Sequence, residues 1–278
     1  MKVGLWGLNV GMTCTTPDGV GHIARLAEEL GYESLWVGEH MALPSPRVAG
    51  SPMDPTDPIL DPLATLAFAA ATTTKVVLAT GVVLLPQRNP VALAKEAATV
   101  DVLSGGRLVL GVGVANLEPE MTAVGTPMAG RGQRSIEYVE AMRELWSSDI
   151  PEYHGKYVSF AGIDAHPRPV RRDIPIVRGG RSDSAFRHSV ADCHGWVGFF
   201  LDLEATAECL EGIHRAVQSV ARAPDLPSLE ITVTPRKLEA GDVERFEDLG
   251  VHRLTLLMPQ NRELKALEEW LHRHAPGV

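Results

Sequence analysis

The sequence predicts an α/β protein folded as a closed (β/α)₈ TIM barrel, and two observations support this prediction. Short apolar segments alternate with amphipathic segments of helical periodicity, and the alternation occurs eight times. The segment 76–90 shows it best, because a β-branched run typical of a buried parallel strand leads into a proline-bounded loop and a helix. Repeated right-handed crossovers bring the edges of a sheet together, which favours a closed barrel over the alternative, an open doubly wound sheet.

Capping signals place the helices in the first half of the chain. Thr16-Pro17, Asp61-Pro62 and Asn89-Pro90 each combine a side chain that can cap a helix with proline in the first helical turn. Gly31 and Gly105 can end two of these helices. In the first half, strands are therefore predicted at 2–9, at 34–38, from 76 and at 107–113. Helices are predicted at 17–30, from 62, at 91–103 and at 135–146.

The second half repeats the alternation, and the 278 residues are predicted to form one domain, 1–278. Its strands are predicted at 174–178, 196–199, 229–234 and 253–258, and its helices at 182–192, 203–221, 242–249 and 263–274. Three connections are long: a proline-rich segment 41–60, predicted to be a lid over the barrel mouth, a polar loop 114–132, and an insertion 148–172 after the fourth helix.

Composition restricts the partners and the compartment. The formal net charge is −9 and no run of lysine and arginine supplies a basic face, which argues against nucleic acid. No apolar stretch is long enough to cross a membrane, and the N-terminus is better explained as a first strand than as a signal. Three cysteines without a CxxC pair fit a reducing cytoplasm. A small-molecule substrate is the expected partner.

The predicted strand ends are poor in groups that catalyse reactions by themselves. They carry no cluster of carboxylates or histidines with metal-ligand spacing, so no metal site is predicted. The sequence also lacks a GxSxG elbow and a Walker phosphate loop. A barrel mouth of this composition indicates chemistry supplied by an organic cofactor.

Two strand ends are candidates for cofactor binding. The sequence Gly179-Gly180-Arg181-Ser182 passes from a strand into a helix, so its backbone N–H groups could bind a phosphate, or Ser182 could simply cap the helix. Nearby arginines favour an anionic ligand, and they are Arg168, Arg171, Arg172, Arg178, Arg181 and Arg187. Gly111 and Gly113 could allow a flat ligand to approach the backbone or could only ease packing.

Glu39 and His40 follow the second predicted strand directly. A histidine can move a proton near neutral pH, and the adjacent glutamate could orient it. The alternative is a structural hydrogen-bonding pair. The position at a strand end favours a catalytic role.

Taken together, four segments resemble the bacterial luciferase-like superfamily, and more narrowly its branch that uses the deazaflavin coenzyme F420. The segments are 35–40, 80–82 with 88–90, 103–113 and 175–180, and they occur in the family's order over nearly the whole chain. The stretch from Ser104 to Gly113 is the most specific part of this resemblance.

The resemblance implies a TIM barrel, commonly dimeric, that binds its cofactor at the mouth. It implies a non-proline cis peptide at Gly81-Val82, next to Thr80. This peptide makes a bulge in the third strand, and the bulge supports the middle of the deazaflavin ring. It also places the cofactor phosphate at residues 179–182. Relatives that oxidise sugar phosphates carry a catalytic glutamate where Asn116 is the nearest residue here, with Glu118 and Glu120 matching less well, which argues against that activity.

Three functional hypotheses follow. The first is an F420-dependent oxidoreductase that transfers hydride between the deazaflavin and a small organic substrate, with His40 as proton donor. The second is a monooxygenase that uses flavin mononucleotide (FMN), whose phosphate would occupy the same site. The third is a cofactor-binding protein without turnover, which Asn116 keeps open because an acid is expected at that position.

Overall fold

Parallel strands close into a barrel in the computed structural model, which describes residues 1–11, 16–239, 241–260 and 262–276. The barrel strands are β1 (Lys2–Trp6), β2 (Ser34–Val37), β3 (Val77–Thr80), β4 (Val83–Leu84), β5 (Leu108–Gly113), β8 (Ile176–Gly179), β9 (Gly195–Leu201), β10 (Glu230–Pro235) and β11 (Arg253–Leu257). Their order is β3, β2, β1, β11, β10, β9, β8, β5 and β4, and β3 also pairs with β5. This last pairing closes the ring that runs from β3 to β5, so the predicted closed barrel is confirmed.

Helices surround the barrel, and their caps agree with the sequence signals. The helices are α1 (Pro17–Glu29), α2 (Pro62–Thr72), α3 (Pro90–Ser104), α4 (Glu118–Ala123), α5 (Arg131–Ser147), α6 (Asp183–Asp192), α7 (Leu203–Ser219), α8 (Asp242–Asp248) and α9 (Leu264–Arg273). The side chains of Thr16, Asp61 and Asn89 accept hydrogen bonds from backbone N–H groups of the first turn, as predicted. Local polar chemistry therefore sets where these helices begin.

Two predicted segments differ in the structure. The first strand ends at Trp6 instead of Asn9, because Gly7 has a φ of 105° and turns the chain out of the sheet. The segment 114–132 is not entirely loop, because it contains the short helix α4. This helix has Pro119 in its first turn, a helix-start signal that the sequence contains.

The two other long connections have different characters. Residues 41–60 form no helix or named strand. Their one isolated β-bridge joins Ile59 to Val10, and Met53 and Ile59 also pack against the cluster inside the barrel. The insertion 148–172 forms an antiparallel hairpin of β6 (Tyr153–His154) and β7 (Ser159–Phe160). The proline-rich composition of 41–60 explains why it follows an irregular path.

Alternating residues of the strands divide the core into two layers. Trp36, Ala79 and Val177 pack in a cluster inside the barrel, and Leu35, Leu78 and Ile176 pack between the barrel and its helices. This alternation is the period-two pattern of a strand that is buried on both faces. It turns the side chains of both layers away from water and leaves the strand ends to form the site.

A buried arginine organises the amino-terminal end of the barrel. Arg253, the first residue of β11, is 4% exposed and donates to both carboxylate oxygens of Glu33 at 2.8 Å. It also donates to Glu230 at 2.8 Å and to Thr232 at 3.1 Å. Burial would lower the pKa of Arg253, but the bonds and charges of Glu33 and Glu230 outweigh it and raise the pKa. One cation therefore links three segments of the barrel.

We predict that Arg253→Met lowers the free energy of unfolding by about 3 kcal/mol, because two carboxylates would lose their buried partner. Arg245→Met is the control, since Arg245 is 67% exposed and pairs with Asp242 at the surface. That change should cost less than about 1 kcal/mol. Urea unfolding followed by circular dichroism measures both, and equal losses would contradict the prediction.

Candidate active site

A cavity of about 570 Å³ opens at the carboxyl ends of the barrel strands. Its size lies within the range of about 300 to 1,000 Å³ that accommodates drug-sized ligands. Strand ends supply most of its wall, and the loop 41–60 contributes Gly50, Pro52, Met53 and Ile59. The loop thus lies over part of the mouth, where the sequence predicted a lid.

The predicted site residues divide between the wall of the cavity and the layer behind it. Those in the wall are Glu39, His40, Gly81, Val82, Gly113, Asn116, Gly179, Gly180 and Arg181. Thr80, Gly111 and Ser182 do not line the cavity. Nine of the twelve predicted site residues therefore lie in the wall, and the three exceptions make structural contacts that explain their positions.

The third strand carries the bulge that the resemblance implied. The Gly81-Val82 peptide bond is cis, which confirms that expectation, and it separates β3 from β4. The indole nitrogen of Trp6 donates to the carbonyl oxygen of Gly81 at 2.9 Å. A Cβ on Gly81 would lie 2.9 Å from that indole nitrogen and 3.0 Å from Trp36. The bulge is therefore packed against tryptophans, with no room for a larger residue.

Gly111 allows the close packing of β3 against β5. A Cβ on Gly111 would lie 1.9 Å from the carbonyl oxygen of Thr80. The Thr80 hydroxyl donates to the Gly111 carbonyl and accepts from the Gly111 N–H, both at 2.8 Å. Thr80 and Gly111 thus bind each other across β3 and β5, and their role in cofactor binding stays a prediction. Gly113 lines the cavity but also makes room for Val82, which a Cβ there would meet at 2.6 Å.

Glu39 does not orient His40 as the sequence predicted. Its carboxylate accepts from the Leu84 N–H at 2.6 Å and from Nε of Arg88 at 2.7 Å. Arg88 also binds Asp61 at 2.6 Å, just after the loop 41–60. Burial raises the pKa of Glu39, and the charge of Arg88 only partly offsets this effect. Glu39 therefore joins β2, β4 and the end of the loop.

Glu120, from the short helix α4, is the partner of His40. Its Oε2 lies 3.0 Å from Nδ1 of His40, and its Oε1 accepts from the Met41 N–H at 2.7 Å. Burial alone would raise the pKa of Glu120, but the hydrogen bond and charge of His40 and the Met41 amide lower it overall. Sequence reasoning noted Glu120 without assigning it, because the loop interpretation of 114–132 gave its side chain no direction.

The glycine pair leads into a capped helix. Gly180 has a φ of 121°, its carbonyl accepts from the indole of Trp196 at 2.8 Å, and Ser182 accepts from the Ala185 N–H at 3.2 Å. The capping explanation of Ser182 is therefore confirmed. Apart from the Ala185 N–H, the backbone N–H groups of the first turn of α6 have no intrahelical carbonyl to donate to, so they can donate to an anion.

The arginines of the predicted positive region do not gather at the cavity. Arg181 lines it and donates to the Phe199 carbonyl at 3.1 Å. Arg168 and Arg172 instead pair with Asp164 and Asp149 at the surface. Arg178 is buried outside the cavity wall, 3.3 Å from the Ser135 hydroxyl. Folding thus separates a cluster that is dense only in the sequence.

An aromatic wall completes the cavity. Trp6 and Phe199 have ring centroids 4.6 Å apart, and Phe199 stacks on Phe200 at 4.2 Å. Phe200 holds a φ of 57°, which is uncommon for a residue with a bulky side chain. Sequence reasoning missed Trp6 and Phe200, because an aromatic in a strand is more often ordinary core.

Within residues 1–11, 16–239, 241–260 and 262–276, no group of three or more histidine, cysteine, aspartate or glutamate side chains could hold a metal ion. No helix in this same part of the chain combines the length and the apolar character that a membrane crossing needs.

Comparison with known proteins identifies the family. The model of the family described as luciferase-like monooxygenase matches residues 2–238. An uncharacterised protein of Mycobacterium tuberculosis, Rv0953c, is 33% identical over 247 residues, covering 85% of this chain and 86% of that protein.

Two solved structures share the fold. An F420-dependent secondary alcohol dehydrogenase in complex with an F420–acetone adduct superposes with a TM-score of 0.79 at 15% identity, covering 99% of this chain and 98% of the other. The second is the oxygenating constituent of 3,6-diketocamphane monooxygenase from Pseudomonas putida, in complex with FMN. It superposes with a TM-score of 0.67 at 20% identity, and the match covers 84% of this chain and 67% of the other.

We predict that Gly111→Ala lowers the free energy of unfolding by about 1 to 3 kcal/mol, because the new methyl group would collide with the Thr80 carbonyl. The control is Gly132→Ala, where a Cβ meets nothing within 4 Å and alanine suits the helix α5 better. Thermal unfolding of both variants measures the difference. A Gly111→Ala protein as stable as the wild type would contradict the prediction and show that β3 and β5 can move apart to make room for the methyl group.

Proposed function

The chain belongs to the luciferase-like monooxygenase family, whose members are oxidoreductases or monooxygenases, and we propose that it is a coenzyme F420-dependent oxidoreductase. It would transfer hydride between a bound deazaflavin and a small organic substrate. The observation that best supports this proposal is the cavity, whose wall carries the Gly81-Val82 bulge and few reactive side chains. A site of this kind needs redox chemistry from a cofactor.

The residues of the cavity suit a flat ligand with a phosphate group. The bulge and Gly113 present backbone and the Val82 side chain at one wall, and the start of α6 offers backbone N–H groups beside Arg181. A bound deazaflavin would supply a hydride donor or acceptor. We propose that Gly81, Val82 and Gly113 hold its ring and that Gly179, Gly180 and Arg181 hold its phosphate, with Ser182 fixing the start of the helix.

The chain itself would supply water exclusion and a proton. Pro52, Met53 and Ile59 cover part of the cavity and would exclude water from the reacting atoms. Glu120 occupies Nδ1 of His40, which leaves Nε2 as the nitrogen available to a bound molecule. His40 is therefore the proposed proton donor. Asn116 also lines the cavity, and we propose that it contacts the substrate or the ring.

An FMN-dependent monooxygenase is the second candidate. The diketocamphane monooxygenase in complex with FMN favours it, because that protein shares the barrel. The phosphate site cannot distinguish the cofactors, since both carry a phosphate on a ribityl chain. The dispersal of Arg168, Arg172 and Arg178 also removes one argument for the longer anionic tail of F420. The F420-dependent alcohol dehydrogenase, with its higher TM-score, favours the first candidate.

A titration of the purified protein with F420 and with FMN, followed by fluorescence, tests the cofactor. We expect F420 to bind at least about tenfold more tightly, a difference of about 1.4 kcal/mol. Tighter binding of FMN would replace the proposal by the monooxygenase. Binding of neither cofactor would reject both enzymes, and binding without turnover of any acceptor would favour a cofactor-binding protein.

We predict that His40→Ala lowers turnover by about 10² to 10⁴-fold, because it removes the proton donor. The dissociation constant of F420 should change by less than about threefold, since the imidazole is not proposed to hold the cofactor. The assay follows F420 absorbance with a panel of alcohols, ketones and enones. His154→Ala is the control, because His154 is 63% exposed on the hairpin. Loss of F420 binding with normal turnover per bound cofactor would make His40 a binding residue.

A further inference from the structure

We propose that Glu120 is a positioning residue that couples closure of the loop 41–60 to the orientation of His40. Its Oε1 accepts from the Met41 N–H at 2.7 Å and from the Ala42 N–H at 3.4 Å, the first two residues of the loop. Its Oε2 holds Nδ1 of His40 at 3.0 Å. One carboxylate thus binds the loop and the imidazole, and the inference rests on the proposed role of His40.

Burial makes these contacts necessary. The Glu120 side chain is 0% exposed, whereas that of His40 is 14% exposed and reaches the cavity wall. A buried carboxylate without hydrogen-bond donors is costly, and no bulk water can replace the ones it has. The buried carboxylate therefore favours the closed loop, in which the backbone N–H groups of residues 41 and 42 face it.

The carboxylate also selects the proton arrangement of the imidazole. A charged Glu120 can only accept, so Nδ1 of His40 must carry a hydrogen and Nε2 faces the cavity. When the imidazolium gives the Nε2 proton to a substrate, a neutral ring with its hydrogen on Nδ1 is left. The neighbouring charges, Glu39 and Arg88, are paired with each other. Glu120 is thus the carboxylate that directly contacts the ring.

Movement of the loop would disturb this arrangement. Met41 follows His40 directly, so opening that draws the Met41 and Ala42 N–H groups away from Oε1 also shifts the backbone that carries the imidazole. His40 would then present Nε2 correctly only while the loop is closed. Such coupling would keep proton transfer confined to the water-excluded state of the site.

The test compares Glu120→Gln with Glu120→Ala, and Glu118→Gln is the control because Glu118 is an exposed residue of the same helix. Long-range ¹H–¹⁵N spectra of ¹⁵N-histidine protein at mildly alkaline pH report which imidazole nitrogen carries the hydrogen. Trypsin reports the loop, because Arg47 is exposed and is the single lysine or arginine among residues 41–60.

Glu120→Gln should keep the loop closed but change which imidazole nitrogen of His40 carries the hydrogen. Its amide oxygen can still accept from the Met41 N–H, so cleavage at Arg47 should stay within about twofold of wild type, while its NH₂ group faces Nδ1 and moves the His40 hydrogen to Nε2. Glu120→Ala should speed cleavage at Arg47 by about tenfold or more, which corresponds to about 1.4 kcal/mol of lost closure. Glu118→Gln should alter neither measurement.

Two results would overturn the coupling. One is a Glu120→Gln protein whose His40 keeps its hydrogen on Nδ1, and the other is a folded Glu120→Ala protein with wild-type cleavage at Arg47. If Glu120→Ala does not fold, the isosteric Glu120→Gln spectrum decides alone. Neither measurement needs a cofactor, so failure of F420 to bind would reject the proposed function without deciding the role of Glu120.

Discussion

The close approach of β3 to β5 at Thr80 and Gly111 is the contact on which the rest of the structure depends. The absence of a side chain at Gly111 lets the Thr80 carbonyl come where a Cβ would stand, and the Thr80 hydroxyl then bonds to both backbone groups of Gly111. This contact closes the barrel and sends the next residues into the Gly81-Val82 bulge. The bulge in turn gives the cavity one of its walls, held by the Trp6 indole.

Two buried carboxylates fasten the loop 41–60 at its two ends. Glu120 holds the N–H groups of Met41 and Ala42 at the start, and Glu39 acts through Arg88 on Asp61, just beyond the end. The middle of the loop, which covers the cavity, is free of regular structure. A segment held at both ends by charge-assisted hydrogen bonds can cover a site without a packed core of its own. The same carboxylates are thus structural for the loop and close to the proposed chemistry.

The site offers shape more than reactivity. Its wall is built mostly from glycines, aromatic rings and apolar side chains, and its few polar side chains include His40, the proposed proton donor. This composition agrees with a family whose structural relatives include proteins with F420 and with FMN. Discrimination between the two would have to come from the ring and the tail of the cofactor, because the proposed phosphate site at the start of α6 would suit both.

The sequence by itself determined the barrel, the helix starts at Pro17, Pro62 and Pro90, and the strand ends that form the cavity, because these depend on short-range periodicity and capping. The tertiary structure decided which side chains meet. His40 and Glu120 are 80 residues apart in the chain, and Glu39 and Arg88 are 49 apart, so no local pattern could pair them. The adjacency of Glu39 to His40 was misleading, since successive residues at a strand end point in different directions. Hydrogen bonds between distant residues are chosen by the packing of the whole barrel, which is information that spacing along the chain does not contain.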